Sequence, residues 1–303
     1  MKRTTQLRRL LERPGIRMAP GCHDALGARF IQRSGFSVAY VTGYGVACSL
    51  LGRPDVGEIT LTEMVTHAAR IAAAIDIPLI CDADTGYGGL LNVQRTVREF
   101  QRAGVAGIHI EDQQEPKRCA AMGGVRVLDL DAAVARVRAA VEAKDDPDFF
   151  VIARTDCRPA LGVDAALERA RAFADAGADM IYVELLGSRE EVARVGREAG
   201  PTPLLFDMFD HPAVPVLRAA ELAEMGYRIV TFPFTSTLAY AKVLDEVYPS
   251  ILRTGGAADV AERRMGLHAF EEAMGLAEIW RGVERLQDSA PLPGARQKKG
   301  ACP

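Results

Sequence analysis

A few side chains stand out by type and spacing. Asp82 and Asp84 lie two residues apart at the end of an apolar run, and Glu111 closes the next such run. In an extended strand the i, i+2 spacing places both aspartates on one side. Carboxylates that close repel one another, and an oxygen-preferring cation relieves the repulsion. Mg2+ suits the set best, with Mn2+ as a substitute, because Mg2+ needs few protein ligands and leaves positions for other oxygens. A lone strand-end aspartate is more simply a helix cap or an arginine partner. Three acids on consecutive runs favour the metal.

Arg154 ends a further run, and its planar guanidinium can clamp a carboxylate in two-pronged fashion, or pair with Glu111 or Glu184. Glu184 and Asp207 close two later runs. The stretch after Glu111 carries Lys117, Arg118 and Cys119, followed by Gly123 and Gly124. A thiol directly after two cations is expected to have a lowered pKa and to serve as acid, base or nucleophile. Without that setting it would be an ordinary inert cysteine. The glycine pair would let the loop close as a lid.

These residues need strands to present them. Eight short apolar runs recur, over 17–20, 38–42, 78–82, 107–111, 149–154, 180–184, 203–207 and 228–232. Helical patterns rich in Ala, Leu, Arg and Glu lie between them, as over 61–74, 93–103, 131–143, 165–176 and 190–199. Gly104, Gly177 and Gly226 stop helices just before the next strand. Strand, helix, glycine and strand in repetition predict an α/β protein with a (β/α)8 TIM barrel, whose chemistry sits at the C-terminal strand ends. A helix over 236–247 and a helical segment over 258–287 are surplus to eight units. The expected organisation is one domain over 1–287 and a disordered tail over 288–303 that contains Cys302.

Composition narrows the function. With 37 Lys and Arg against 40 Asp and Glu, the net charge of −3 excludes a charge-driven nucleic-acid partner. The chain has no apolar run long enough for a membrane span. The first fifteen residues lack the apolar core of a secretory signal, and a cytoplasmic address is expected. Six dispersed cysteines without a CxxC pair read as reduced thiols.

The segments PGCHDALGARFIQRSGF, YVTGYGVACSLLGRPDVG, DADTGYGG, GIHIEDQ with PKRC, and VIARTD with AGADMIYVE span about Pro20 to Glu184. Together they resemble the isocitrate lyase and phosphoenolpyruvate mutase superfamily, and within it the 2-methylisocitrate lyase-like branch. The resemblance implies a Mg2+-dependent homotetramer whose C-terminal helices are exchanged between subunits. It places the metal at Asp82, Asp84 and Glu111, and the substrate at Arg154 with Glu184 behind it. Thr42, Gly43, Tyr44 and Gly45 match the substrate-carboxylate loop, and Asp55 matches the gating-loop aspartate. Cys119, beside Lys117, matches the residue that protonates a carbanionic product. The implied reaction is carbon–carbon cleavage of a 2-hydroxy acid, of 2-methylisocitrate or alkylmalate type, to a 2-oxo acid such as pyruvate and a second carboxylate.

Four departures bear on substrate choice. Ala120 and Ala121 replace the usual Gly-His after the cysteine, and Tyr44 replaces a small residue. Asp207 replaces a common asparagine, and Phe232-Pro233-Phe234-Thr235 replaces YPLS. Asp207 and Thr235 are thus assigned to a distal pocket ill suited to a succinate-like anion. The competing readings are a phosphonomutase, a phosphonopyruvate or oxaloacetate hydrolase or decarboxylase, and a barrel that binds oxo acids without turning them over.

Overall fold

Apolar runs too short for a helix, rich in Val, Ile and Leu and buried on both faces, form parallel strands. The structure, a computed structural model, describes residues 1–209 and 211–289. Eight strands close in sequence order into a parallel barrel: β1 (Arg17–Cys22), β2 (Ala39–Val41), β3 (Leu79–Asp82), β4 (Gly107–Glu111), β5 (Phe150–Thr155), β6 (Met180–Val183), β7 (Leu204–Asp207) and β8 (Tyr227–Phe232). β8 pairs back onto β1, with Met18 opposite Val230. The expected strands therefore all form, with ends moved by two residues or fewer.

The helices are α1 (Arg3–Glu12), α2 (Ala25–Arg33), α3 (Gly43–Leu51), α4 (Leu61–Ala74), α5 (Leu90–Arg102), α6 (Leu130–Glu142), α7 (Arg158–Asp175), α8 (Arg189–Glu198), α9 (Ala219–Glu224), α10 (Thr235–Thr254), α11 (Leu267–Ala273) and α12 (Leu276–Ser289). Their ends follow local chemistry. Thr60 and Glu63 form a capping box at α4, Asp129 caps α6, and Ser188 caps α8. Gly104, Gly177 and Gly226 adopt the left-handed backbone expected of them, with φ of 80°, 94° and 96°.

Packing separates two compact units, Met1–Lys242 and Val243 onward. In the first, Leu7 and Leu11 of α1 join Ile80, Ile152, Met180 and Leu205 in the cluster that fills the barrel interior. Two outer clusters lie between strands and helices, one built on β1 to β5 and one on β5 to β8. The second unit holds the end of α10, a 3-10 turn over Ala258–Arg263, α11 and α12, with Gly275 in left-handed conformation between the last two. Its start lies inside the span expected as one domain. α12 runs to Ser289 and carries exposed Ile279, Trp280 and Leu286. The rest of the expected tail, 290–303 with Cys302, lies outside the described residues. Among those described, no helix is long and apolar enough to cross a membrane.

One close approach gives a test. A Cβ on Gly196 of α8 would stand 1.9 Å from the Met225 carbonyl oxygen, which is backbone and cannot swing away. Replacing glycine by alanine inside a helix ordinarily stabilises by about 1 kcal/mol. Gly196→Ala should instead destabilise by roughly 1–3 kcal/mol through overpacking. A thermal melt that is unchanged or raised would show that α8 can move off the turn before β8.

Candidate active site

Successive side chains on a strand face opposite sides, so each strand lines the barrel interior with every second residue. The sequence sorts these rows by polarity. Ile80, Ile152, Met180 and Leu205 sit below, and two residues further along come Asp82, Arg154, Tyr182 and Asp207. Tyr40 and His109 are followed in the same way by Thr42 and Glu111, and Tyr182 by Glu184. The upper rows surround a narrow cavity of about 20 Å3, lined by Tyr40, Thr42, Asp82, Glu111, Arg154, Glu184 and Asp207 from the strand ends. Tyr44, Asp55, Lys117, Arg118 and Cys119 come to it from loops and from α3, with Pro233 and Phe234 after β8.

Thr235, expected in this cavity, is not among its lining residues. It begins α10 and lines an apolar pocket with Met18, Phe30 and Phe232 instead, while Pro233 and Phe234 form the cavity wall. Gly43 takes part through its backbone, whose N–H donates to Asp82 Oδ2 at 3.2 Å. A Cβ there would stand 2.6 Å from the same oxygen.

Asp84 also differs from expectation. β3 ends at Asp82, and Asp84 has a positive φ of 48°, so the two aspartates do not share an extended strand. The Asp84 N–H donates to Asp82 Oδ1 at 3.0 Å, closing a tight turn. The Asp84 carboxylate turns to Lys117, whose ammonium contacts Asp84 Oδ1 and both Asp55 oxygens, at 2.7 and 2.8 Å. Cys119 N–H donates to the Asp55 carbonyl at 3.1 Å, so the loop after β4 is tied to the loop after α3 at two points. Among the described residues no group of three or more His, Cys, Asp or Glu is placed to hold a metal ion.

Around the cavity Asp55, Asp82, Asp84, Glu111, Asp156, Glu184 and Asp207 are all buried, against buried Lys117 and Arg154, while just outside it buried Asp112 pairs with buried Arg169 and buried Arg136 donates to the Glu111 carbonyl. Burial favours the neutral form of a carboxyl, and neighbouring acids add to it. Asp84 is pushed up to about 7 by burial and by Asp82 and Asp55, against the pull of Lys117. Glu111 is raised well above its ordinary value by burial, and its Oε1 has no hydrogen-bond partner. Arg154 makes its two-pronged pair with Asp156, at 2.8 and 3.2 Å, rather than with Glu111 or Glu184, which lie at 3.4 and 3.9 Å. Its guanidinium also lies 5.0 Å over the Tyr182 ring.

The thiol corrects a prediction. Cys119 is pushed up to about 12 by burial, with the nearby Asp55 and Glu184 adding to it, so it holds its proton. Lys117 does not activate it because the ammonium is spent on Asp55 and Asp84. Arg118 is exposed, in water that screens its charge.

Sequence reasoning missed Tyr40, Tyr182, His109 and Asp156. Each sits two residues from a residue it did assign, so the period of two could have found them. His109 Nε2 is 2.7 Å from the Tyr40 hydroxyl, and its ring meets Tyr182 edge-on.

The whole arrangement can now be set beside known proteins. Residues 7–252 match the family described as phosphoenolpyruvate phosphomutase. The chain belongs to that family. It is 40% identical over 279 residues to the 2,3-dimethylmalate lyase of Eubacterium barkeri, covering 92% of this chain and 96% of the relative. It is also 40% identical over 262 residues to a probable 2-methylisocitrate lyase of Corynebacterium glutamicum, covering 86% and 85%. A phosphonopyruvate hydrolase solved with oxalate and Mg2+ superposes with a TM-score of 0.84 at 28% identity, covering 94% of this chain and 99% of that one. Among these relatives, the two closer in sequence are named lyases, as the resemblance implied.

His109 gives a prediction on acid stability. Burial lowers its pKa to about 4, from 6.5 for an unburied imidazole. The unfolded chain therefore takes up a proton that the fold refuses. The stabilisation is complete above about pH 6.5 and is lost as pH falls toward 4. His109→Gln should show an acid-side loss smaller than wild type by up to about 3 kcal/mol, read from urea unfolding across this range. Parallel curves for the two proteins would refute it.

Proposed function

We propose that this chain is a Mg2+-dependent carbon–carbon lyase that splits an alkyl-substituted malate into a 2-oxo acid such as pyruvate and a second carboxylate. The observation that carries this choice is the make-up of the cavity wall, aromatic and acidic. Tyr44 packs on Phe234 with ring centroids 4.9 Å apart, and Phe234 on Phe209 at 5.0 Å, giving an apolar patch. Asp207 and Glu184 also line the cavity. Neither welcomes the additional carboxylate that 2-methylisocitrate carries, whereas alkyl groups suit the aromatic rings.

The donor chemistry suits a Mg2+ ion, although the carboxylates would have to converge further, with Asp84 giving up Lys117, to ligate it together. Glu111 Oε1 is buried and unpartnered, and Asp82 and Asp84 add hard oxygen donors, in a site with an excess of acids. Asp82, Asp84 and Glu111 would hold the ion, which when bound polarises oxygens of the 2-hydroxy acid.

The chain's own groups supply the rest. Arg154, held flat by Asp156, has Nη1 outside its bonds to Asp156 and can grip the carboxylate next to the reacting carbon. At the N-terminus of α3 the Gly43 and Gly45 N–H groups are taken by Asp82 and by the capping Thr42 hydroxyl, which leaves the Tyr44 N–H as the donor for a ligand anion. Arg118, exposed and lining the cavity, would meet the second carboxylate of a malate. Cys119 keeps its proton at Sγ until a strongly basic carbanion draws it off, which suits an acid better than a nucleophile. With Lys117 latched on Asp55 and Asp84, the loop covers that step from water.

The reading extends to an assembly of four copies that trade helices, supported by the exposed Ile279, Trp280 and Leu286 of α12. Light scattering would weigh it.

The decisive experiment is a panel of 2,3-dimethylmalate, other 2-alkylmalates, 2-methylisocitrate, oxaloacetate and phosphonopyruvate, followed by 2-oxo acid release with and without Mg2+. Dialkylmalates should turn over fastest, and Cys119→Ser should lower kcat by roughly 100-fold or more. Fastest turnover of oxaloacetate or phosphonopyruvate, or a Cys119→Ser protein as active as wild type, would overturn the proposal.

A further inference from the structure

Tyr182 lies at the crossing of β6 and β7 with its hydroxyl against two carboxyl groups. One is Glu184, two residues on along the chain, through Oε2, and the other is Asp207 of β7, through Oδ2 at 2.9 Å. Asp207 Oδ1 is also held by the Thr231 hydroxyl of β8. All four residues are buried. A phenol carries one hydrogen, so it can donate to only one of the two carboxyls. The second contact, equally within hydrogen-bonding distance, needs a hydrogen of its own. Were both acids ionised, a carboxylate oxygen would press on the phenol's lone pairs with no water to separate them, at the full penalty of a buried unsatisfied group. One of the two carboxyls must therefore be protonated.

The surroundings decide which. Asp207 has two hydroxyl donors available, Tyr182 and Thr231, and donors favour the charged form. Glu184 has no second hydroxyl, and Arg154 approaches its Oε1 only to 3.9 Å while engaged by Asp156. We infer that Glu184 is a carboxylic acid at neutral pH, donating to the Tyr182 oxygen, while Tyr182 donates to an ionised Asp207. One proton thus fixes the negative charge at the end of β7 and leaves the end of β6 neutral.

The charged and titratable groups facing the pair agree. Arg154 and Asp156 face Glu184 from the end of β5, Cys119 from the loop after β4, and Asp207 from β7. Asp207 faces Arg154, Thr231 and, more distantly, Asp82 of β3. Burial raises both carboxyls, Glu184 to about 8 and Asp207 to about 6, which is the same order.

Two consequences follow, and these rest on the lyase reading, whereas the proton itself does not. Arg154 loses Glu184 as a counter-charge and keeps more of its attraction for a ligand carboxylate. The fixed charge on Asp207 turns away a further carboxylate from the wall beside β7, so Tyr182 and Asp207 act as positioning and specificity residues.

The test uses the full-length protein labelled with 13C at glutamate carboxyls, without substrate, and with the Glu184 resonance assigned by its loss in Glu184→Gln. In wild type the resonance should be that of a protonated acid at pH 7 and titrate near 8. In Asp207→Asn the amide can donate to the Tyr182 oxygen, which frees the phenol hydrogen for Glu184, and the midpoint should fall by about one unit or more. Thr231→Val, which takes a donor from Asp207 and keeps the side-chain shape, should move it the same way by passing the proton to Asp207. Ionised Glu184 at pH 6 in wild type, or a midpoint unmoved in both variants, would overturn the inference. If the midpoints move as stated but no 2-hydroxy acid is cleaved, the proton chain stands and the lyase reading falls.

Discussion

Seven carboxyl groups and two cations surround the cavity at the upper end of the barrel away from bulk water, and this imbalance governs everything around them. An isolated buried carboxylate is too costly to keep, so each must find a cation, a set of donors or a proton. Lys117 answers for Asp55 and Asp84, and Arg154 answers first for Asp156. Asp82 relies on backbone N–H groups from Gly43 and Asp84. Glu111, Glu184 and Asp207 are left with less, and their pKa values rise. The positions of two loops and of the α3 N-terminus are thus settled by the need to neutralise acids.

That arrangement explains why the sequence was readable in some respects and silent in others. The eight strands were legible because apolar runs bounded by glycine and proline repeat with helical patterns between them, and boundaries moved by no more than two residues. The cavity residues Asp82, Glu111, Arg154, Glu184 and Asp207 were legible because they end those runs. What could not be read was pairing across the barrel. Nothing in the spacing of Asp82 and Asp84 signals that the chain turns between them. No local feature shows that Lys117 reaches two acids more than thirty residues away along the chain. The thiol was misjudged for the same reason, since adjacency in sequence to Lys117 and Arg118 says nothing about where their charges point.

Kinship with the phosphoenolpyruvate phosphomutase family narrows the chemistry, and the departures in this chain refine it. Relatives named for dimethylmalate and methylisocitrate differ in how many carboxylates their substrates carry. Here Tyr44 and Phe234, the latter backed by Phe209, line the cavity together with Asp207 and Glu184. On the proposed reading, Arg154 would grip one carboxylate, and the aromatic and acidic lining would favour hydrocarbon over a further charge.

The alternation along the strands has a consequence for how such a protein can change. The residues that hold the barrel together and those that meet a ligand occupy the same strands, yet they are offset by a single two-residue step, about 7 Å. Leu205 and Asp207, or Ile80 and Asp82, are neighbours along one face but belong to separate layers. A substitution in the upper layer can alter which molecule is accepted while the layer beneath keeps its packing. The scaffold therefore works like a keyboard on a fixed frame, in which a new substrate needs only a few keys to be exchanged.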